Sequence, residues 1–472
     1  MASPLESSKK NMKNKILKSA VISEKATIKD AMRAIDHSGL RVAYVVDEKK
    51  RLVGVVSDSE IRKSILKGQD IKNQVKGILN PHPVVLHAED LDTPHVVRAK
   101  VKDLLNRMPD SRYILVLDKE GQPKQLTLCS ALLEERLSKK KRQHVDRHVL
   151  VVGGAGYLGS VLVRKLLAQG FRVRVLDILM FGVAPIEKLI GRKGFEFIEG
   201  DMRNIPTLVK ALQGIDAVIN LAAVVGDPAC QEKPESAIET NYLANKVLAE
   251  ACKYHQINRF IYASTCSVYG VMEGEAELSE DSPLNPVSLY ARSKIQSEEG
   301  ILSLEDENFS PTILRMSTLY GYSPRMRFDL VVNTMTKTAV TERKILVFNG
   351  GKQWRPLLHI EDAADAYIKC LKAPVHKIKG NIFNVGSSRQ NYQIIQIAQK
   401  VHRCIPESQL IVEDSNNDPR NYLVSFSRIE KYLRYKTTYD VERSVLRIKR
   451  AIEKKEIPDV NDRRYYNVEY NK

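Results

Sequence analysis

Arg147-His148-Val149-Leu150-Val151-Val152-Gly153-Gly154-Ala155-Gly156-Tyr157-Leu158-Gly159-Ser160 decides the fold. An apolar, β-branched run reaches a glycine cluster, and Val161, Leu162, Leu166 and Leu167 then recur at helical spacing. The pattern predicts a buried parallel strand turning sharply into an amphipathic helix. Gly153 allows the tight turn, Gly156 lets the backbone approach a pyrophosphate, and Gly159 lets the helix pack close to the strand. Tyr157 and Leu158 open that helix, whose unpaired N–H groups and positive dipole end face the anion.

The next strand, Phe171 to Asp177, ends in a carboxylate twenty-four residues beyond Gly153. That is close to the spacing of a ribose-binding acid, which accepts hydrogen bonds from an adenosine 2′-hydroxyl and repels a 2′-phosphate. Asp177 therefore predicts NAD over NADP. A third strand, Phe195 to Gly200, is closed by Asp201-Met202-Arg203, and a fourth, Ala217 to Ala223, ends in small residues against which a cofactor can lie. A helix carrying Asn241 follows, then a fifth strand, Phe260 to Ser264, leading into Thr265-Cys266-Ser267-Val268-Tyr269-Gly270.

Leu289-Tyr290-Ala291-Arg292-Ser293-Lys294 then starts a helix. Residues i and i+4 share a helix face, so Lys294 is expected beside the Tyr290 ring. An ammonium there, together with an oxidised nicotinamide, lowers the phenol from about 10 toward neutrality. Tyr290 is then equipped to remove a hydroxyl proton while hydride leaves the same carbon. Lys294 also bonds the nicotinamide ribose, and Thr265 holds the reacting oxygen.

From these residues the chain resembles an extended short-chain dehydrogenase/reductase of the nucleotide-sugar epimerase/dehydratase family, over roughly residues 147–450. The resemblance rests on Gly153 to Gly159, Asp177, Asp201, Asn220-Leu221-Ala222-Ala223, Asn241, Thr265 and Tyr290…Lys294. It implies a tightly held NAD, with Asp201 and Met202 bordering the adenine and Leu221, Ala222, Ala223 and Asn241 lining the cofactor. It also implies a C-terminal lobe that grips a nucleotide diphosphate, and a homodimer through helices including the one bearing Tyr290.

Leu314 to Gly321 resembles the family's strand entering the substrate pocket, with Thr318 where an Asn is frequent. In Gln353-Trp354-Arg355-Pro356-Leu357-Leu358-His359, Arg355 would clamp the diphosphate with its planar fork. Phe348 stands where relatives contact the base. Asp418 and Arg420 are further partners for the nucleotide. Taken singly, each of these polar residues equally suits a structural ion pair.

Sugar 4,6-dehydratases of the family carry an acidic pair directly after the catalytic Thr, and here those positions are Cys266 and Ser267. Dehydration is disfavoured, as is NADP-linked reduction, because no basic residue follows Asp177 in Ile178-Leu179-Met180-Phe181. Epimerisation at C4 through a 4-keto sugar is the reading that remains. A dehydratase or ketoreductase, and a non-catalytic NAD and adenylate sensor, are the alternatives. Val224 to Pro228 differs from the galactose epimerases, so no particular sugar is assigned.

The first third holds an internal duplication of about 65 residues. Residues 16–67 read as strand (Ile16 to Ile22), helix (Thr27 to His37), two strands and helix (Ser59 to Leu66). Residues 83–136 repeat that order from Pro83-Val84-Val85-Leu86 through a helix at Val97 to Met108 to one near Ala131 to Arg136. The arrangement resembles a tandem CBS-domain pair over residues 15–137. Ser57 and Glu60 stand where such domains touch an adenylate's phosphate and ribose, which implies one adenosyl-nucleotide site. The second copy, Leu126 to Ala131, lacks both polar groups. A module without ligand, serving docking alone, is the other reading.

The expected architecture is α/β: a CBS-like module (15–137), a basic linker (138–146), and a doubly wound Rossmann-type parallel sheet with a small C-terminal substrate lobe (147–457). The 472 residues carry a net charge of +17, and the first 147 hold 30 Lys and Arg against 19 Asp and Glu. No nucleic-acid motif accompanies that charge, so no nucleic-acid partner is expected. Six scattered cysteines without a C-x-x-C pair predict neither a zinc site nor disulfides and fit a reducing cytoplasm. No apolar stretch suits a signal peptide or a membrane span, so no membrane association is expected.

Overall fold

In the computed structural model, β1 (Val21–Ser23) pairs in parallel with β2 (Val42–Val46), which pairs antiparallel with β3 (Leu52–Ser57). The same order and directions recur in β4 (Leu86–His87), β5 (Tyr113–Leu117) and β6 (Pro123–Leu128). Helices α1 (Ile28–Ser38), α2 (Asp58–Leu66) and α3 (Pro94–Arg107) complete the duplicated pattern. The structure describes residues 16–108, 111, 113–129, 132, 148–271, 276–413 and 420–467. The expected linker and the helix near Ala131 to Arg136 lie almost wholly outside them. The chain divides into two units, Met1–Gln143 and His144–Lys472.

Each copy has a core of its own, and a further buried cluster joins the two. Ile16, Leu17, Tyr44 and Val55 of the first bury against Leu115, Leu117 and Leu126 of the second. The hairpin turns are also tied, Leu52 N donating to Gly121 O at 3.0 Å and Gln122 Nε2 to Lys49 O at 2.9 Å. Ile16 to Ile22 is not one strand as expected: residues 16–20 are helical, and only Val21–Ser23 pairs. Ile16, Leu17 and Ala20 sit at helical spacing, and burying all three on one side requires the helix. In the second copy Pro83 lacks the N–H a ladder needs, and pairing is confined to Leu86–His87.

In the second unit β7 (His148–Val152), β8 (Arg172–Asp177) and β9 (Phe195–Glu199) lie on one side, and β10 (Ala217–Asn220), β11 (Arg259–Thr265) and β12 (Ser310–Met316) on the other. The chain then lays down β13 (Thr318–Tyr320), β14 (Lys344–Phe348) and β15 (Trp354–His359) outside this sheet before β16 (Ile382–Val385) rejoins it. The order β16-β12-β11-β10-β7-β8-β9 is parallel throughout. The strand order reverses between β7 and β10, where open parallel sheets bind ligands at their carboxyl ends. Its strands are continuous Val/Ile/Leu runs because helices cover both faces.

The lobe holds β13-β15-β17, with β17 (Asn391–Gln393) antiparallel to β15, and the parallel pair of β14 with β18 (Gln409–Glu413). Its own core gathers Val332, Met335, Ile345, Ile397, Val401 and Val445. The chain's late segment closes back on the unit. Asn467 Oδ1 accepts from Arg325 at 2.6 Å, and Asn467 Nδ2 donates to Val225 O at 3.2 Å. Among the described residues no helix is long and apolar enough to cross a membrane.

Candidate active site

β7 runs straight into the glycine turn, and Gly153 adopts φ 82°, a left-handed conformation that favours glycine. A Cβ there would stand 2.8 Å from Ala222 N, and one on Gly159 would run into the Gly153 carbonyl. Gly156 instead meets nothing nearer than Gly153 O at 3.4 Å. Helix α4 (Tyr157–Ala168) follows with no side chain capping it, so its first N–H groups are available to an anion. This shallow backbone cradle fits the pyrophosphate of NAD.

Asp177 ends β8 beside the turn. Its carboxylate accepts from Ala155 N and Leu179 N, both at 2.9 Å, so it braces the loop. Burial pushes its pKa up, and those two N–H groups and Arg325 oppose the rise. Tyr157 turns to the lobe: its hydroxyl donates to Gly321 O at 2.6 Å and accepts from Asn333 Nδ2 at 3.1 Å. Leu158 is half-buried beside it.

Asp201 is engaged by Arg203, which donates from Nε and Nη2 at 2.9 and 2.7 Å, while the Met202 side chain is buried in the core with Leu176 and Leu208. Leu221, Ala222 and Ala223 continue half-buried past the end of β10, and Leu221 N donates to Val152 O at 2.9 Å. Asn241 sits in one π-helical turn, Glu239–Leu243, fully buried. Its amide pairs with both backbone groups of Val224, at 2.8 and 2.9 Å, and so clamps that loop.

The helix α5 (Leu289–Leu302) is capped by Ser288, whose hydroxyl accepts from Ala291 N at 3.2 Å. It brings Tyr290 and Lys294 to one face. Lys294 is 2 % exposed, donates to Ala263 O at 2.8 Å, and lies 4.7 Å from the Tyr262 ring centre and 5.8 Å from that of Tyr290. Burial pushes its ammonium down to about 8. Burial raises the Tyr290 phenol, and Arg327 is the cation that acts against the rise.

Thr265 closes β11, and its hydroxyl accepts from Ser267 N and donates to Ser267 Oγ, both at 3.1 Å. The Tyr422 hydroxyl also hydrogen-bonds Ser267. The Cys266 thiol points into the core and donates to Arg315 O at 3.3 Å, and burial raises its pKa. It offers no acid or base to the cleft.

On the lobe side, Arg355 is buried, donates to Trp354 O at 2.7 Å and to Arg420 O, and lies 5.6 Å from the Tyr422 ring centre. Arg420 pairs with Asp227 at 3.1 Å. Thr318 begins β13 opposite Leu357, and Phe348, 39 % exposed, ends β14 opposite Glu413. Asp418 lies outside the described residues.

Four residues near Tyr290 escaped the sequence reading: Asp227, Cys230, Arg327 and Tyr422 all act electrostatically on its phenol. Asp227 and Cys230 lie in or next to the stretch after β10 that was noted only for departing from relatives, and nothing local singles out Arg327. Its guanidinium forms a fork with Asp329, at 3.0 and 2.6 Å.

In the N-terminal unit Ser57 and Glu60 meet each other. Ser57 caps α2, and the Glu60 carboxylate accepts from Ser57 N at 2.8 Å, a capping box that Thr27 and Asp30 repeat at α1. Both side chains cap the start of α2.

A family model described as the NAD dependent epimerase/dehydratase family matches residues 149–386, and one described as CBS domain matches residues 12–67. Protein CapI of Staphylococcus aureus is 31 % identical over 260 residues, 53 % of this chain and 77 % of that protein. A dTDP-glucose 4,6-dehydratase of Xanthomonas campestris is 27 % identical over 321 residues, 63 % and 90 % of the two chains. The crystal structure of UDP-glucuronic acid 4-epimerase from Bacillus cereus, in complex with UDP-glucuronic acid and NAD, matches with a TM-score of 0.59 at 26 % identity, over 65 % of this chain and 99 % of that one. With the dinucleotide cradle, the Tyr290–Lys294 helix and the matched length, the chain belongs to the NAD-dependent epimerase/dehydratase family of extended short-chain dehydrogenases, as a nucleotide-sugar enzyme with an N-terminal CBS domain.

Proposed function

We propose that the protein epimerises C4 of a nucleotide-diphosphate sugar through a transient 4-keto sugar. The observation that carries this is the pairing of Tyr290 and Lys294 with a Thr265-Cys266-Ser267 segment that offers no carboxylate. NAD, bound along Gly153 to Gly159, Asp177 and Leu221 to Ala223, supplies a hydride acceptor and donor. Thr265 holds the C4 oxygen while Tyr290, as the phenolate that Lys294 and an oxidised nicotinamide would favour, takes the hydroxyl proton, and the phenol so formed returns a proton to that oxygen after the keto sugar turns over. Lys294 orients the nicotinamide ribose, and Arg355 and Arg420 hold the diphosphate.

The test is incubation with UDP-, GDP-, CDP- and dTDP-sugars and resolution of products by NMR. An isomer of unchanged mass supports epimerisation; loss of water, stoichiometric cofactor turnover or no product overturns it. Tyr290→Phe is expected to lower turnover by about 10²- to 10⁴-fold.

The apolar residues Ile238, Leu243, Val247 and Tyr254, exposed on the helices beside α5, support a homodimer through that face. Light scattering that finds a monomer would remove it. The CBS match supports an adenosyl-nucleotide site at Ser57 and Glu60. Calorimetric silence toward AMP, ATP and S-adenosylmethionine would leave a docking module.

A further inference from the structure

We propose that Asp227 is a substrate-positioning carboxylate that accepts a hydrogen bond from a sugar hydroxyl, and that it makes the pocket prefer a neutral hexose to the corresponding uronate. The inference rests on the nucleotide-sugar reading of this cleft and names the sugar class.

Asp227 stands at the start of the short helix Asp227–Glu232, directly after the loop that Asn241 clamps. One carboxylate oxygen takes the Arg420 guanidinium at 3.1 Å; the other is shielded from solvent and has no hydrogen-bond partner. A buried acceptor left bare is costly, and such groups concentrate where a ligand completes them.

Its position says which part of the ligand. On one side its negative charge is felt at the Tyr290 hydroxyl. On the other stands Arg420, whose carbonyl receives the Arg355 guanidinium. A sugar whose reacting hydroxyl meets the phenol and whose phosphates meet the two arginines would lie alongside Asp227. A hydroxyl donates to the bare oxygen, whereas a uronate carboxylate has no hydrogen to give and sets acceptor against acceptor.

The test is equilibrium binding, in a Tyr290→Phe background that prevents turnover of the full chain. Isothermal titration with UDP-glucose and UDP-glucuronic acid should give at least tenfold tighter binding of the neutral sugar. Adding Asp227→Asn, which keeps the shape and removes the charge, should shrink that preference below threefold while bound NAD and the melting temperature hold. If Asp227→Asn fails to fold, Asp227→Ser serves the same comparison. Equal affinity for the two sugars, a preference that the Asp227 variant leaves intact, or binding of neither would overturn the proposal. A wild-type chain that yields no isomer but keeps the preference overturns the C4 reaction and upholds Asp227.

Discussion

Arg315 on β12 and Glu298 on α5 form a bidentate pair in the core, with Nη2 2.7 Å from Oε2 and Nε 3.1 and 3.2 Å from the two carboxylate oxygens. Each side chain is 3 % exposed. Ser264 donates to the same carboxylate, and Tyr269, hydrogen-bonded to Asn384 at 2.8 Å, accepts from Arg315 at 3.1 Å. The pair therefore nails the helix carrying Tyr290 and Lys294 to the sheet one turn beyond them.

Removing one partner strands the other as a buried charge. Arg315→Met is expected to cost about 3 to 5 kcal/mol, and the double variant Arg315→Met/Glu298→Leu less than Arg315→Met alone. Urea unfolding with an unchanged slope measures this. A cost below that of an ordinary surface change would show that the pair does not anchor the helix.

Lys294 works against the fold it serves. Below pH 8 its ammonium is charged in both the folded and the unfolded chain, and folding carries the full cost of burying it. From pH 8 to its ordinary value of 10.5 that cost fades. Lys294→Met is expected to raise stability by about 1 to 3 kcal/mol at pH 7, less the lost bond to Ala263 O, with the gain vanishing toward pH 10.5. Turnover should fall at least ~100-fold. Chemical denaturation at pH 7 and pH 10 checks the sign.

His359 makes the lobe acid-sensitive. It caps the helix Ile360–Lys372 by accepting from Glu361 N at 3.2 Å and stacks on Tyr439 with ring centres 4.3 Å apart. Burial pushes it down to about 4 from an ordinary 6.5. The unfolded chain takes up a proton below pH 6.5 that the folded chain refuses until about 4, so stability falls as pH drops through that window. The loss attributable to it is about 3 kcal/mol at most. His359→Asn should flatten the dependence between pH 6.5 and 4 by about one proton; an unchanged slope would assign the acid response elsewhere.

Gly159→Ala puts a methyl into the Gly153 carbonyl and within 2.7 Å of Gly154 Cα. Because backbone rather than a flexible side chain is in the way, a loss of about 2 kcal/mol or more is expected. Bound NAD, read by absorbance after denaturation, should fall with it. Full NAD occupancy in a normally stable Gly159→Ala protein would show that the dinucleotide lies elsewhere.

The parallel sheet was legible because its signals are local: β-branched runs, a glycine turn, and a carboxylate at the right remove. The strand ends agree closely, except that the fourth stops at Asn220 and Leu221 to Ala223 continue beyond it. Tyr290 and Lys294 were legible for the same reason, one turn apart on one helix. What surrounds them was not. Asp227 meets Arg420, and Arg327 approaches Tyr290, only once the lobe has folded back, and no periodicity encodes such meetings. Asn241 and Asp177 show the converse: their types and spacing point to a ligand, and the structure shows each holding backbone.

Tyr44, Val55, Leu115 and Leu126 belong to one shared interior across the duplicated N-terminal halves. Neither half is then a portable cassette. A gene fragment encoding one alone would yield a polypeptide with a greasy flank, obliged to find a twin or precipitate. Drift in one half must be answered in the other, which makes the pair the smallest piece that shuffling could move intact.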